Sequence, residues 1–416
     1  MKIKTRLAFC TSTVAGEDDV VSPSSSSSVS VSSAVSASAF ILQSHSSLQT
    51  LPSVPSLQSL FLDTSTVTLT YSLASAISLS SPITSLSLSS TSSSTSASSA
   101  NLYASAGHQI NVYDSDTLLL VDSFNVNSPS SGAVKSIAFS KGTVLTAHQD
   151  GKIRVWKKTG PLNTGTHKQE ATLPTLSDRL LRFPVPKNHV QVRRHKTRLW
   201  VEHNDAVSSL AVTNKRIYSV SWDKTLKVWG PNDLRCKESV NASEDAVNAV
   251  TVSGDDVVYT GSAEGRIQVW STKEKRLGLV ATLEKHKSAV NALTLNDDGS
   301  ILFSGACDRS ILVWEREDSG KYMSVSGALR GHEGAILCLI NVGEFLISGS
   351  ADRTVRIWRR GGCEGEGKFC CLTVLSGHKK AVKCLAAKLD GEDGISVFSG
   401  GLDGEIKVWS IKINRS

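Results

Sequence analysis

Hydrophobic and polar positions are most regularly ordered between Gly331 and Trp358. Three short apolar runs, Ala335–Ile340, Phe345–Ile347 and Val355–Trp358, are separated by residues that favour turns. In the last run Val355 and Ile357 alternate with Arg356, a period of two rather than 3.6, which predicts strands. The same run closes five other stretches: GKIRVW, KTLKVW, GRIQVW, RSILVW and GEIKVW, ending at Trp156, Trp229, Trp270, Trp314 and Trp409. Tyr113 closes a weaker copy.

Six residues before each Trp stands an acid: Asp150, Asp223, Glu264, Asp308, Asp352 or Asp403. An Ala opens the first strand of each copy, at Ala133, Ala206, Ala246, Ala289, Ala335 and Ala381. From Trp229 onward the Trp spacing is 41 to 51 residues. A period near 40–45 with a Gly-His dipeptide and a terminal Trp resembles the WD40 repeat, four strands to a blade. Six clear copies and one degenerate copy predict an all-β, seven-bladed WD40 propeller over residues 65–416. Only seven residues follow Trp409, while Val67, Leu69, Tyr71 and Leu73 alternate with Thr66, Thr68, Thr70 and Ser72. Residues 66–73 are therefore expected to complete the last blade and close the ring, since an open sheet edge invites aggregation.

Composition changes this picture at the N-terminus. About a third of the first hundred residues are Ser, and between residues 20 and 100 the one charged group is Asp63. Such a stretch buries too little apolar surface to offset its chain entropy, so residues 1–60 are expected to be a disordered tail. Its basic, Ser-rich start also resembles an organelle transit peptide, against which stand Glu17–Asp19 and the absence of Arg between Arg6 and Arg154. Ser22-Pro23 and Ser81-Pro82 are candidate phosphorylation sites. No apolar run reaches the ~18 residues of a membrane span. The eight Cys follow no disulfide spacing and are expected to be free or buried thiols of a reducing compartment, placing the protein in the cytoplasm or nucleus.

Charge changes it again near the second copy. Residues 1–134 carry a net −4 and residues 135–416 a net +11. Most of that excess lies in residues 157–198, with ten Lys/Arg against Glu170 and Asp178. Here the Trp spacing stretches to 73 residues, and Pro161, Pro174, Pro184 and Pro186 exclude a long helix. The expected arrangement is a basic loop at about 159–189 between the third and fourth strands of blade 2, with Val190–Trp200 as the fourth strand. The elements TLPTL (172–176), PKN (186–188), VRRH (192–195), LW (199–200), DAVS (205–208) and SWDKTLKVW (221–229) resemble the plant WD-repeat family of the JINGUBANG type, whose propeller is similar to the WD-repeat part of myosin heavy chain kinase B. That resemblance implies a stand-alone regulatory propeller without a catalytic domain. Blade 1 departs from the pattern, with Tyr113 for Trp and no Gly-His before Ile83.

A His, a Ser and an Asp recur in register with a Trp: His203, Ser219, Asp223 and Trp229; His286, Ser304, Asp308 and Trp314; His332, Ser348, Asp352 and Trp358; His378, Ser399, Asp403 and Trp409. A catalytic set occurs once in a protein, so a fourfold set reads as structural tetrads. In blades 2 and 4, Ser130 and Ser243 are expected to replace the His. GGCEGEG lacks the following helix of a phosphate loop. Cys363, Cys370, Cys371 and His378 lack a C-x-x-C frame for zinc. Neither metal nor cofactor is expected. Candidate partner-binding residues are Trp222, Lys224, Arg309 and Arg353 on the turns between second and third strands, and Arg193, Arg194, Lys196 and Arg198 beside the insert. The loops Ser89–Ala100, Thr159–His189, Gly361–Lys368 and Leu389–Gly394 are expected to share the opposite face. The chain reads as a monomeric, non-enzymatic adaptor for protein partners, acidic ones at the insert, in signalling or transcriptional regulation. Two alternatives are an RNA binder using the insert and a cullin-ligase substrate receptor, whose Trp-Asp-x-Arg is missing here.

Overall fold

The computed structural model describes residues 54–57, 67–89, 100–160, 165–193, 196–273, 276–316, 323–361 and 368–415. Within them, seven four-stranded antiparallel sheets follow one another as propeller blades, with one two-stranded hairpin besides. The inner strands are Ile83–Ser89, Val134–Ser140, Val207–Val212, Val247–Val252, Val290–Leu295, Ile336–Val342 and Val382–Leu389. Each begins with a β-branched residue and then bulges by one position. The bulge turns the second residue out of the ladder.

The core is divided among the spaces between blades. Ile153, Val155, Leu210, Ile217 and Trp229 fill the space between blades 2 and 3. Leu346, Trp358, Phe303 and Val313 fill that between blades 5 and 6. Both faces of a middle strand are thus buried, as the near-continuous apolar run Phe345–Ile347 requires.

Ring closure follows the expected route. Val67–Ser78 pairs antiparallel with Glu405–Arg415, from Val67 opposite Arg415 to Ser78 opposite Glu405. Val67 is buried with Ile411 and Ile413, whereas Tyr71 and Leu73 are exposed. Tyr71 meets Trp409 edge-on at 6.4 Å. Most of residues 1–60 lie outside the described residues, but Val54–Leu57 are docked. Ser56 bridges Ala328, Leu57 packs between blades 5 and 6, and the Phe369 amide donates to its carbonyl.

The insert departs from expectation. The fourth strand of blade 2 is Thr166–Leu173, paired with Ile153–Thr159. Val190–Trp200 instead contributes the hairpin His189–Arg193 with Lys196–Leu199. A bulge opposite Val155 and Trp156 leaves Glu170 unpaired, breaking the alternation by which the strand could have been read. The extra chain, 174–200, therefore runs from the outer strand of blade 2 to the inner strand of blade 3. Connections alternate ends in an antiparallel blade, so this segment starts and finishes on the face of the second-to-third-strand turns. It does not share a face with Leu389–Gly394, as had been expected. Residues 90–99 and 362–367, the bulk of two other elaborations, lie outside the described residues.

The segment is tied down. Thr175 caps the helix Leu176–Arg182, accepting from the Asp178 amide. Buried Asp178 accepts from Arg182 Nε at 2.9 Å and from the Cys236 amide at 3.2 Å. The Arg182 guanidinium lies 4.6 Å over the Trp200 ring, and Trp200 Nε1 donates to Asn188 at 3.1 Å. Leu173, Leu199 and Val201 join the core between blades 2 and 3.

Candidate interaction face

All four predicted tetrads form. The indole N–H donates to Ser Oγ at 2.8 Å for Trp229 and Trp314 and at 2.9 Å for Trp358 and Trp409. The same Oγ lies 2.8 Å from Nε2 of His203, His286, His332 or His378. Nδ1 faces Asp223 at 3.2 Å, Asp308 at 2.8 Å, Asp352 at 2.7 Å and Asp403 at 3.1 Å. Burial pushes His203, His332 and His378 below the usual imidazole range despite the carboxylates. A neutral ring then donates from Nδ1 to Asp and accepts from the Ser hydroxyl at Nε2, leaving the Oγ lone pairs to the indole. Burial works to raise Asp308, but the His286 bond and its other donors hold it down to about 2. This Ser–His–Asp connectivity is that of a hydrolase triad, yet all four Ser are fully buried. No substrate reaches them. Each Asp also accepts from the backbone amide after the His, from Asn204, Lys287, Glu333 or Lys379. The tetrad thereby pins the interblade loop to the turn.

Blades 2 and 4 differ from one another. In blade 4 Ser243 takes the expected place, donating to Glu264 at 2.5 Å. In blade 2 Ser130 is exposed and unused. There His148 supplies the imidazole, 2.7 Å from Thr146 Oγ1, which accepts from Trp156 at 2.8 Å. Burial and the Arg154 charge push His148 down to about 3, and Asp150 pairs with Arg154 at 2.8 Å. A further buried chain joins blades 1 and 2. Asp122 accepts from the His167 backbone amide at 2.8 Å and lies 2.7 Å from its Nδ1, and His167 Nε2 lies 3.2 Å from Tyr103 OH. Burial and the Asp122 charge push Tyr103 up to about 12.

The thiols are mostly as expected. Cys236, Cys338, Cys371 and Cys384 are free, and burial raises each. Cys370, however, is disulfide-bonded, which corrects the reading of every Cys as a thiol. His378 has both ring nitrogens engaged in its tetrad.

The turns between second and third strands all leave on one face. The residue after the acid has positive φ in six blades. It is Gly151, Gly265 and Gly404 in blades 2, 4 and 7, but Lys224 (φ 73°), Arg309 (67°) and Arg353 (70°) in blades 3, 5 and 6. All three basic side chains are exposed. Lys224 Nζ donates to the Glu244 carbonyl. Trp222 is half-buried, with Lys135 Nζ 5.2 Å above its ring. Lys135 and Lys383 stand at the bulged second position of the inner strands of blades 2 and 7. In blades 1, 3, 4 and 5 that position staples blade to blade around the channel. Thr84 donates to the Val134 carbonyl at 2.5 Å, Ser208 to Val247 at 2.5 Å, Asn248 to Val290 at 3.1 Å and Asn291 to Ile336 at 2.9 Å. Burial and the charge of Lys383 push Lys135 below the usual ammonium range. Arg198 lies on the same face, donating to the His203 carbonyl at 3.2 Å. The side chains of Arg193, Arg194 and Lys196 lie outside the described residues.

Residues 195–230, 277–315, 323–359 and 369–410 match the family model described as WD domain, G-beta repeat. The chain carries WD40 repeats. The matched segments are those of blades 3, 5, 6 and 7, the four with a full tetrad. Over 143 residues the chain is 28% identical to WD repeat and FYVE domain-containing protein 2 of Caenorhabditis elegans, and equally to that of Caenorhabditis briggsae. Each match covers 34% of this chain and 33% of the relative, so the chain spans about a third of the length of these relatives.

The repeat pattern of this WD40 propeller located Trp222, Lys224, Arg309 and Arg353 but missed Lys135 and Lys383. A signal was there, since both follow an Ala-Val pair, after which blades 3, 4 and 5 carry Ser208, Asn248 and Asn291. Buried Lys227 was missed too. Its ammonium donates to the Trp200 carbonyl at 2.5 Å and Ser239 Oγ at 2.6 Å, contacts that exist because the insert returns there.

Proposed function

We propose that this propeller is a non-enzymatic adaptor of the JINGUBANG type, acting in signalling or transcriptional regulation, which docks acidic segments of partner proteins on the face of the second-to-third-strand turns. One observation carries the reading: three of six turns place Lys or Arg in a left-handed conformation where the other three use Gly. A non-glycine residue there costs roughly 1 kcal/mol, and no tetrad bond uses these side chains. Lys224 Nζ reaches the Glu244 carbonyl, but among the described residues no hydrogen bond or ion pair within the fold uses the side chains of Arg309 or Arg353, which points to use outside it. Trp222 beside Lys135, with Lys383 near, adds a half-buried aromatic anchor of the kind that dominates interfaces. The specific insert motifs support the family assignment.

The test is affinity capture from an extract with the full chain, comparing wild type with Arg309→Glu/Arg353→Glu and with Trp222→Ala. Loss of specific partners from variants with an unchanged melt is expected. Wild-type capture by every folded variant would overturn the reading. Steeply salt-dependent RNA binding by the purified protein would replace the adaptor by a nucleic-acid binder.

A further inference from the structure

The helix Leu176–Arg182 is turned inside out. A helix lying on a protein core directs its apolar stripe inward and its charges to solvent. Here Asp178 and Arg182, four residues apart and so on one face, point at the propeller, bonded to one another and to Cys236. Leu176 and Leu180, on another face, are 73% and 70% exposed, and Leu181 is 64% exposed. The exposed series continues past the helix through Phe183 (66%), Val185 and Val190. Six of the 13 large apolar side chains exposed among the described residues fall in these 15 positions. A monomer rarely leaves such a cluster to solvent without use.

We infer that this crest is a membrane-contacting element, which inserts Leu176, Leu180, Leu181 and Phe183 into the surface of a bilayer containing anionic lipid. Two features select this occupant. The side chains protrude by about two-thirds of their area from a seven-residue helix and the Pro-bounded turn after it. A protein partner must supply a concavity matched to each of them, whereas a fluid acyl boundary makes no demand on shape. The charge around the crest is of the right sign. From 176 to 202 stand Arg179, Arg182, Lys187, Arg193, Arg194, Lys196 and Arg198 against two acids, Asp178 and Glu202. Arg182 pairs with Asp178, and Arg179 with Glu202 at 2.8 Å, so the excess of positive charge rests on Lys187 and the basic residues 193–198. Exposed Lys187 follows the crest directly. Basic groups beside inserted apolar ones are drawn to anionic headgroups and fix the depth of insertion. The bonds of Asp178, Arg182, Asn188 and Trp200 hold the crest rigid on blade 3, so little ordering remains to oppose binding.

The proposal is independent of the adaptor reading, because Trp222 and the turn residues take no part in it. Its test is co-sedimentation of the full chain with phosphatidylcholine vesicles, with and without phosphatidylserine. Wild type should sediment with the anionic vesicles and far less with the neutral ones. Leu180→Ser/Leu181→Ser/Phe183→Ser should lose at least about tenfold in vesicle affinity with an unchanged melt, since the three side chains are mostly exposed already. Lys187→Glu should weaken anionic selection, and Trp222→Ala should leave vesicle binding intact. Two outcomes overturn the proposal: wild type that does not sediment with anionic vesicles at physiological salt, or a triple-Ser variant that sediments like wild type.

Discussion

In blades 3, 5, 6 and 7 the imidazole that orients the Trp-bound hydroxyl comes from the interblade loop. In blade 2 it comes from His148, at the end of the second strand itself. The hydroxyl–indole bond is the same in both, 2.8 Å for Trp156 and 2.8–2.9 Å in the tetrads. The task of the Asp is not. Asp352 accepts from His332 Nδ1 and from the Glu333 amide, tying loop to turn. Asp150 is left to Arg154 and the Lys152 amide. The preceding loop in blade 2 is held by Asn125 donating to Ser131, and the outer strands by Asp122 with His167. Blade 4 keeps only the hydroxyl, Thr260 accepting from Trp270 at 3.0 Å, whereas these five blades back theirs with an imidazole. The Gly-His dipeptide is one way to supply it.

The largest effect should come from removing what only the junction of blades 1 and 2 possesses. Replacing 159–189 by a Gly-Ser linker deletes the outer strand of blade 2, the His167 link and the helix, and should abolish cooperative folding. A linker variant with the wild-type melt would show that blade 2 stands without its fourth strand.

Acid should separate the two regions next. The folded-state pKa values of His203, His332, His378 and His148 lie below the unfolded one. The unfolded chain therefore binds more protons, and stability falls as pH drops through about 6.5 towards the folded values. Among the described residues no carboxylate hydrogen-bonds His148, which burial pushes down to about 3, so blade 2 should lose amide hydrogen-exchange protection before blade 6. The carboxylates of Asp223, Asp308, Asp352 and Asp403 are depressed, and their contribution is lost only below about pH 4. Equal loss of protection in both blades across pH 6.5–4 would remove the distinction.

Single acids should grade in the same order. Asp352→Ala, which orphans a buried imidazole, should cost about 2–3 kcal/mol in chemical denaturation, and Asp150→Ala about 1 or less. Comparable losses would mean that blade 2 depends on its Asp as the tetrad blades do. The smallest effect has the opposite sign. Arg309→Gly or Arg353→Gly should stabilise by roughly 0.5–1 kcal/mol by relieving positive φ and at the same time weaken partner capture. A destabilised Gly variant would show that the side chain contributes to the fold.

Legibility followed locality. Tetrads are read from fixed offsets within a repeat, because each depends on neighbours a few dozen residues away at most. Closure, which pairs Val67 with Arg415, is the exception, legible because an alternating strand and a short tail each lack a partner in their own repeat. Blade 2 could not be read this way. One bulge at Glu170 hides its outer strand, and His148 lies where no repeat places a His. The inverted helix was hidden for a related reason. Asp178 and Arg182 look like solvent-facing residues until Cys236, 54 residues beyond Arg182, meets them.

From sequence alone came the all-β class, the blade count, the four tetrads and the basic turns, since these are repeated, and repetition distinguishes a structural rule from an accident of composition. Ring closure came from the one strand and the one tail that the repeats leave over. The tertiary structure alone decided which strand completes blade 2, on which face the insert leaves, that Lys135 and Lys383 stand at the channel, and that the leucines of 176–181 face outward. Each of these depends on desolvation and hydrogen-bond partners that distant blades provide once the ring has closed. A chain pattern records the size and polarity of its residues, not which of them will meet.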